Sequence, residues 1–205
     1  MLQVACIVEG HGEVPAVPEL VRRIARDLDP SLAIQIPPPL RIPRSKLVQT
    51  GEIERAVEFA ARKTGGTGAV LVLLDSDDDC PAQLGPALLS RAKAARRDIP
   101  LAVVLAHREY EAWFLASAES LRGRRRLPAD LSAPPAPESI RDTKGWLSNH
   151  MPGKLKYQET VDQAALTAIF DFTLARRCRS FDKCYRDITS LLSQLRESST
   201  ESHPS

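Results

Sequence analysis

Ala69-Val70-Leu71-Val72-Leu73-Leu74 is an unbroken apolar run that stops at Asp75-Ser76-Asp77-Asp78-Asp79. Continuous rather than alternating apolar character reads as a strand buried on both faces, as in parallel sheets. Val4-Ala5-Cys6-Ile7-Val8 is a second such run and stops at Glu9-Gly10-His11-Gly12-Glu13. Ile99 to Ala106 is a third and leads directly into His107-Arg108-Glu109-Tyr110-Glu111. Charges at the tips of interior strands are costly unless something offsets them. The three tips are therefore candidate sites as well as strand ends.

Helical spacing fills the intervals. Val17, Leu20, Val21, Ile24 and Leu28 mark a helix over Val14–Leu28, and Ile53, Ala56, Val57 and Ala60 mark another over Gly51–Lys63. A third is predicted from Ala82 to Arg97, and Ala33–Ile36 reads as a short strand stopped by Pro37-Pro38-Pro39. Strands alternating with helices predict an α/β fold: a Rossmann-like, mostly parallel sheet of about four strands, covered by helices on both faces. Ligands of such sheets sit at the carboxyl ends of the strands, where all three acidic groups fall. This part is expected to span 1–121. Residues 122–138, with the basic run Arg122 to Arg126 and the proline-rich Pro128 to Pro137, read as a loop or linker. A helical subdomain is expected over 139–197, its Thr160–Leu195 pattern divided into two helices near Arg179-Ser180-Phe181, and a frayed tail over 198–205.

The 205 residues carry a net charge of only +2, which excludes a generally basic nucleic-acid coat. A polyanionic partner would need a local basic face. Arg41, Arg44 and Lys46 after the second strand, and Arg124 and Arg125 after the fourth, are the candidates. Cys6, Cys80, Cys178 and Cys184 show no CxxC spacing, so reduced thiols are expected. No apolar run is long enough to span a bilayer, and no positive segment precedes the first one. A cytoplasmic protein without a membrane partner is expected. Trp113 and Phe114 are expected in the core rather than stacked on bases.

Asp75 and Asp77 are two residues apart, so on an extended segment they share a face. With Glu9 beside them, carboxylates converge at short range, and repulsion raises their proton affinity unless a cation compensates. Magnesium suits such oxygen donors, with manganese as its substitute. Each cluster also has a plainer reading. Glu9 to Glu13 is equally a solvated turn with a carboxylate at a helix start. Asp75 to Asp79 is equally a strand exit and helix cap before Pro81. Their joint occurrence at equivalent strand ends favours a site. His11 and His107 are expected as hydrogen-bonding residues rather than ligands. An EF-hand counted from Asp75 would need Gly at its sixth and Glu at its twelfth position, where Cys80 and Pro86 stand, so that reading fails.

A glutamate ending the first strand and an Asp-x-Asp ending a later one resemble the Toprim domain of topoisomerases, primases and several nucleases. Glu9, with Asp75 and Asp77, fits that signature. Glu9-Gly10-His11-Gly12-Glu13 also matches the E-G-x-x-E of nucleases similar to the OLD (overcoming lysogenization defect) family. Arg108-Glu109-Tyr110-Glu111-Ala112-Trp113-Phe114-Leu115 resembles their R-x-x-E-N-Y-L, with Ala112 in place of asparagine. Together with Arg179-Ser180-Phe181, the chain looks like a bacterial Toprim-related family of unknown function. The resemblance implies that Glu9, Asp75 and Asp77 hold one metal, with Glu13, Asp79 and Glu111 holding a second or positioning water. It also implies a phosphate-contacting or general-acid lysine, for which Lys46, Lys144 and Lys154 are candidates. The implied function is a metal-dependent phosphodiesterase. It would be a nuclease on DNA or RNA, in genome defence or repair, beside a separate ATPase because the chain has no P-loop. The alternatives are a non-catalytic Toprim-like interaction module and a small-molecule phosphohydrolase.

Overall fold

The computed structural model describes residues 1–201, with side chains described to residue 198. Strand β1 (Leu2–Val8) leads into helix α1 (Glu13–Leu28). Two short strands follow, β2 (Ile34–Gln35) and β3 (Leu40–Arg41), then α2 (Arg44–Leu47) and α3 (Glu52–Arg62). Next come β4 (Ala69–Asp75), α4 (Pro81–Ala95), β5 (Leu101–Ala106) and α5 (Ala112–Ala116). The expected α/β class and parallel sheet are present: every strand pair is parallel, in the order β2-β1-β4-β5 with β3 also on β1.

The sheet has five strands rather than about four, but only four positions across. Leu2 pairs with Ile34 near the start of β1, and Ile7 pairs with Leu40 near its end. Between them lie Pro37, Pro38 and Pro39, which have no N–H to give to a ladder. The proline run thus splits one edge strand into β2 and β3. The second half brings Arg41 and α2 to the carboxyl edge.

Strand periodicity decides the two layers. Val4, Cys6, Leu71, Leu73 and Val104 pack in one cluster with Val17, Leu20 and Ile24 of α1. Their neighbours Ala5, Ile7, Val70, Val72 and Val103 point the other way, against Ile53 and Val57 of α3 and Leu88 of α4. Both faces are apolar because both are covered.

The C-terminal part consists of α6 (Thr143–Asn149), a π-helical turn (Glu159–Gln163), α7 (Ala164–Thr167), α8 (Phe172–Ala175) and α9 (Arg179–Glu201). The first of the two helices expected over Thr160–Leu195 is broken into pieces. At the break Arg23 of α1 donates to the carbonyls of Thr167 (2.6 Å) and Phe170 (2.8 Å), satisfying groups that a continuing helix would have used. Its guanidinium lies 4.1 Å from the Phe172 ring centroid. The α9 helix runs into the expected frayed tail as far as Glu201, and 202–205 lie outside the described residues.

Leu127 and Leu131 of the expected linker, and Leu147, Phe170, Phe181 and Leu192 beyond it, belong to the same buried cluster as Val4 and Leu71. Residues 122–138 therefore do not separate two cores. The cluster's aromatic centre joins both halves: Trp113 meets Tyr110 at 4.5 Å and Phe181 at 5.2 Å between ring centroids. Its indole N–H donates to Ser180 Oγ (2.9 Å). Trp113 and Phe114 are wholly buried, as expected. Among the described residues no helix is long and apolar enough to cross a membrane.

Trp113→Ala is expected to cost about 3–5 kcal/mol of stability, the usual range for emptying a buried aromatic site. Trp113→Phe should cost less but more than a surface change, since Ser180 loses its donor. Urea denaturation of the three proteins checks both.

Candidate active site

Parallel strands leave on the same side, so the residues following Val8, Asp75 and Ala106 share one edge of the sheet. At the end of β1 the chain turns sharply into α1. Glu13 Oε2 accepts hydrogen bonds from the backbone N–H of Glu9 (2.8 Å) and of Gly10 (2.9 Å), closing the turn from within. This explains the second glutamate of E-G-x-x-E: it caps its own turn at a helix start, where negative charge is favoured. Gly12 has a separate cause. A Cβ there would lie 2.1 Å from Gln163 Oε1 and 2.7 Å from the carbonyl oxygen of Glu159, so only glycine lets the π-helical turn approach.

Asp75 Oδ1 accepts from the backbone N–H of Tyr110 (2.8 Å), tying the tip of β4 to the segment after β5. That segment places Glu111 fully inside, where Oε1 accepts from the Tyr157 hydroxyl at 2.9 Å. The second oxygens of Glu9 and Glu111 are buried and have no hydrogen-bond partner among the described residues. Burial, then the carboxylates of Glu13 and Glu111, push the Asp75 carboxyl well above its ordinary value. Burial likewise raises Glu111 to about 7, against the opposing pull of Lys144 and the Tyr157 hydroxyl. Glu13 and Glu9 are raised too, each mainly by burial, with Asp77 adding to Glu9.

Lys144 of α6 is the lysine brought to these acids. Burial opposes its charge, but Glu111, Glu159 and Asp75 outweigh burial and hold the ammonium above its ordinary value. Glu159 Oε2 accepts from Lys144 Nζ at 2.7 Å. Lys144 was one of three lysines open on sequence grounds. Tyr157 and Glu159 carry no spacing or motif signal, and nothing in the letters singles them out.

The outer acids sit differently from the expectation. Asp75 and Asp77 do not share a face, because β4 ends at Asp75 and Asp77 adopts a left-handed backbone (φ 49°). The turn is held by Asp77 N–H donating to the Arg108 carbonyl (3.2 Å) and Asp79 N–H donating to the Ser76 carbonyl (2.9 Å). Asp77 and Asp79 are exposed and flank Arg44, with Asp77 at 3.5 Å and Asp79 in direct hydrogen bond. Asp78 meets Arg108 (3.2 Å) and Arg141 (2.8 Å). Among the described residues no three His, Cys, Asp or Glu side chains are placed to hold one metal ion together.

Of the expected basic contacts, Arg41 donates to the Glu9 carbonyl at 3.4 Å, and Arg44 lies at the same rim. Lys46 is exposed, 3.9 Å from Glu52. Arg124 and Arg125 are both exposed, but the Arg125 guanidinium is engaged in an ion pair. Arg125 and Arg126 donate to the fully buried Asp162 at 3.0 and 2.8 Å, and Asp162 also accepts from the Gln158 N–H (2.9 Å). This ion cluster fixes the π-helical turn that carries Glu159, beside Tyr157.

Residues 8–188 match a family described as a domain of unknown function, DUF4276. The chain belongs to the DUF4276 family. No curated protein and no solved structure matches it. The DUF4276 match begins at the end of β1 and ends within α9, so it includes Lys144, Tyr157 and Glu159 along with the acids.

A carboxyl raised from an ordinary 4.5 to about 7 binds its proton more tightly in the folded state. Its contribution to stability is therefore full below about pH 4.5 and lost as pH rises through about 7. DUF4276 protein in EDTA should lose stability across that window, and Glu111→Gln should flatten the decline, by roughly 2–3 kcal/mol at pH 8. Denaturant midpoints at pH 4.5, 6, 7 and 8 measure the slope.

Proposed function

We propose that this DUF4276 chain is a divalent-metal-dependent phosphodiesterase acting on nucleic acid. One observation carries the reading. Asp75 at the end of β4 interacts with Glu9 and Glu13 after β1 and with Glu111 after β5, Lys144 acts on Asp75 and Glu111, and two buried carboxylate oxygens are left unpartnered. Buried acids that raise one another's pKa beside a half-buried lysine are arranged for chemistry more readily than for stability. The likeness of the strand-end motifs to the Toprim domain points the same way.

The residues fit a magnesium or manganese ion in donor type. They offer hard carboxylate oxygens, two of them orphaned. Magnesium keeps several waters and takes only one or two protein carboxylates beside substrate phosphates, so a preformed cage of three is not required. Glu9 and Asp75 would hold it, with Glu111 on the inner side and Asp77 beside Glu9. Asp79, bound to Arg44, belongs to the rim. Such an ion supplies a water of lowered pKa and offsets charge on a phosphodiester.

The chain's own groups have separate tasks. Lys144 keeps its proton and so contacts a phosphate oxygen as a cation, rather than acting as a base. Glu159 aims it. The Tyr157 hydroxyl fixes one oxygen of Glu111 and leaves the other free. Glu13 shapes the turn that presents Glu9. A second reading, a non-catalytic nucleic-acid or protein interaction module, draws on a different observation: Lys144 and Arg44 already neutralise part of the acidic set internally.

Cleavage of single- and double-stranded DNA and RNA with magnesium or manganese tests the proposal. Asp75→Asn and Glu9→Gln are expected to fall to background, and Tyr157→Phe to lose about 10–100-fold, as for a group that orients a ligand. Cleavage that persists in excess EDTA, or that Asp75→Asn leaves unchanged, would overturn it.

A further inference from the structure

Three concavities line up along β5, the end strand of the sheet, in the valley between α4 and α9. The first, about 690 Å³, lies against Leu101 at the amino end and is lined by Lys93 and Arg97. The second, about 180 Å³, shares Lys93, Leu101 and Gln194 with it. The third, about 730 Å³, shares Lys183 with the second and reaches Asp78, His107 and Arg179. Together they form one groove, roughly 20 Å long at the usual rise per strand residue. It ends at the carboxyl edge beside the candidate active site.

The strand edge itself is closed: Leu101, at 8% exposed, is the most exposed residue of β5, so no further strand can pair there. Side-chain charge decides what the groove takes. Its acids are committed: Asp78 to Arg108 and Arg141, Asp79 to Arg44, and Asp187 to Lys183. Glu138 accepts from the backbone N–H of Arg179 (3.1 Å) and Ser180 (3.0 Å). Arg96 is paired with Asp98 and Glu58. Among the described residues the exposed side chains of Lys93, Arg97 and Arg179 have no carboxylate partner. Among the described residues the unpaired cations, Lys93 and Arg97 at the amino end and Arg179 at the other, thus outnumber the one lining carboxylate without a cationic partner, Glu138.

We propose that this groove is a track for one strand of nucleic acid, its phosphates on Lys93, Arg97 and Arg179 and its chain leading to the carboxylates. The inference rests on the phosphodiesterase reading and deepens it, naming a single-stranded polymer as substrate. The middle section is the smallest of the three, at about 180 Å³, which favours a single strand over a duplex as the occupant. No Phe, Tyr or Trp lines it among the described residues, so recognition is through phosphates and independent of sequence.

The probe is a fluorescein-labelled oligothymidylate of about 20 nucleotides, read by anisotropy in EDTA so that nothing is cut. Binding should weaken with salt, with a slope of log K against log salt of about −2 for three phosphates on a single strand. Lys93→Glu, Arg97→Glu and Arg179→Glu together should weaken binding at least about 10-fold and flatten that slope, with the circular dichroism spectrum unchanged. A duplex of equal length should bind more weakly, and polyglutamate should compete poorly. Equal binding by the triple variant, preference for the duplex, polyglutamate binding as tightly as the oligonucleotide, or no binding overturns the groove. Metal-dependent cleavage retained at full rate in the triple variant also overturns it, while leaving the phosphodiesterase reading intact. Groove-dependent binding by a protein that cleaves nothing upholds the groove and removes the phosphodiesterase.

Discussion

Like charges gathered at the carboxyl edge of a fully covered parallel sheet are the constraint on which the rest of this molecule depends. Asp75 cannot move away from that edge, because β4 is paired on both sides and its last residue accepts from Tyr110. Glu111 is fixed by Tyr157, and Glu13 by the turn it closes. Their repulsion is met by one ammonium, that of Lys144, which Glu159 holds in place. Compensation is incomplete, since the carboxyls remain raised and two oxygens remain unpartnered. On the proposed reading, a bound cation would supply the charge that Lys144 leaves unmet.

The C-terminal half is what makes this arrangement possible. It is not an appendage, because its buried residues are continuous with those of the sheet, and Trp113 joins the halves through Phe181 and Ser180. The motif segments Glu-Tyr-Glu-Ala-Trp-Phe and Arg-Ser-Phe are therefore partners in packing. From this shared core the chain returns over the acids with Tyr157 and Glu159. The buried Asp162, gripped by Arg125 and Arg126, anchors the π-helical turn. A buried carboxylate with paired arginines is costly to assemble and adds little net stability, so its use here is positional. Gly12 is the matching concession on the other side of the contact.

Much of this was legible in the letters. Apolar continuity located β1, β4 and β5, and helical periodicity located α1, α3 and α4, because both patterns report burial, which the fold then provides. The acidic residues at strand tips were legible for the same reason: a parallel sheet sends all its strand ends to one edge. The failures were local or long-range. Asp77 left the line of β4 through a left-handed turn stabilised by Arg108, a residue 31 positions later, which no spacing rule anticipates. The helical pattern over 160–171 was broken by Arg23, which took its carbonyls from across the core.

The sequence by itself determined the sheet, its two covered faces and the edge at which Glu9, Asp75 and Glu111 would emerge, since these follow from period, length and the parallel rule. Only the tertiary structure decided which lysine joins them and which acids stay out. Lys144 and Lys154 are equivalent as letters, and Asp75 and Asp79 nearly so. What separates them is burial and distance. Lys144 lies under the influence of Glu111 and Asp75 on a helix docked against the core, while Asp79 sits in solvent on Arg44. Those relations exist only between segments far apart in the chain, and only packing brings them together.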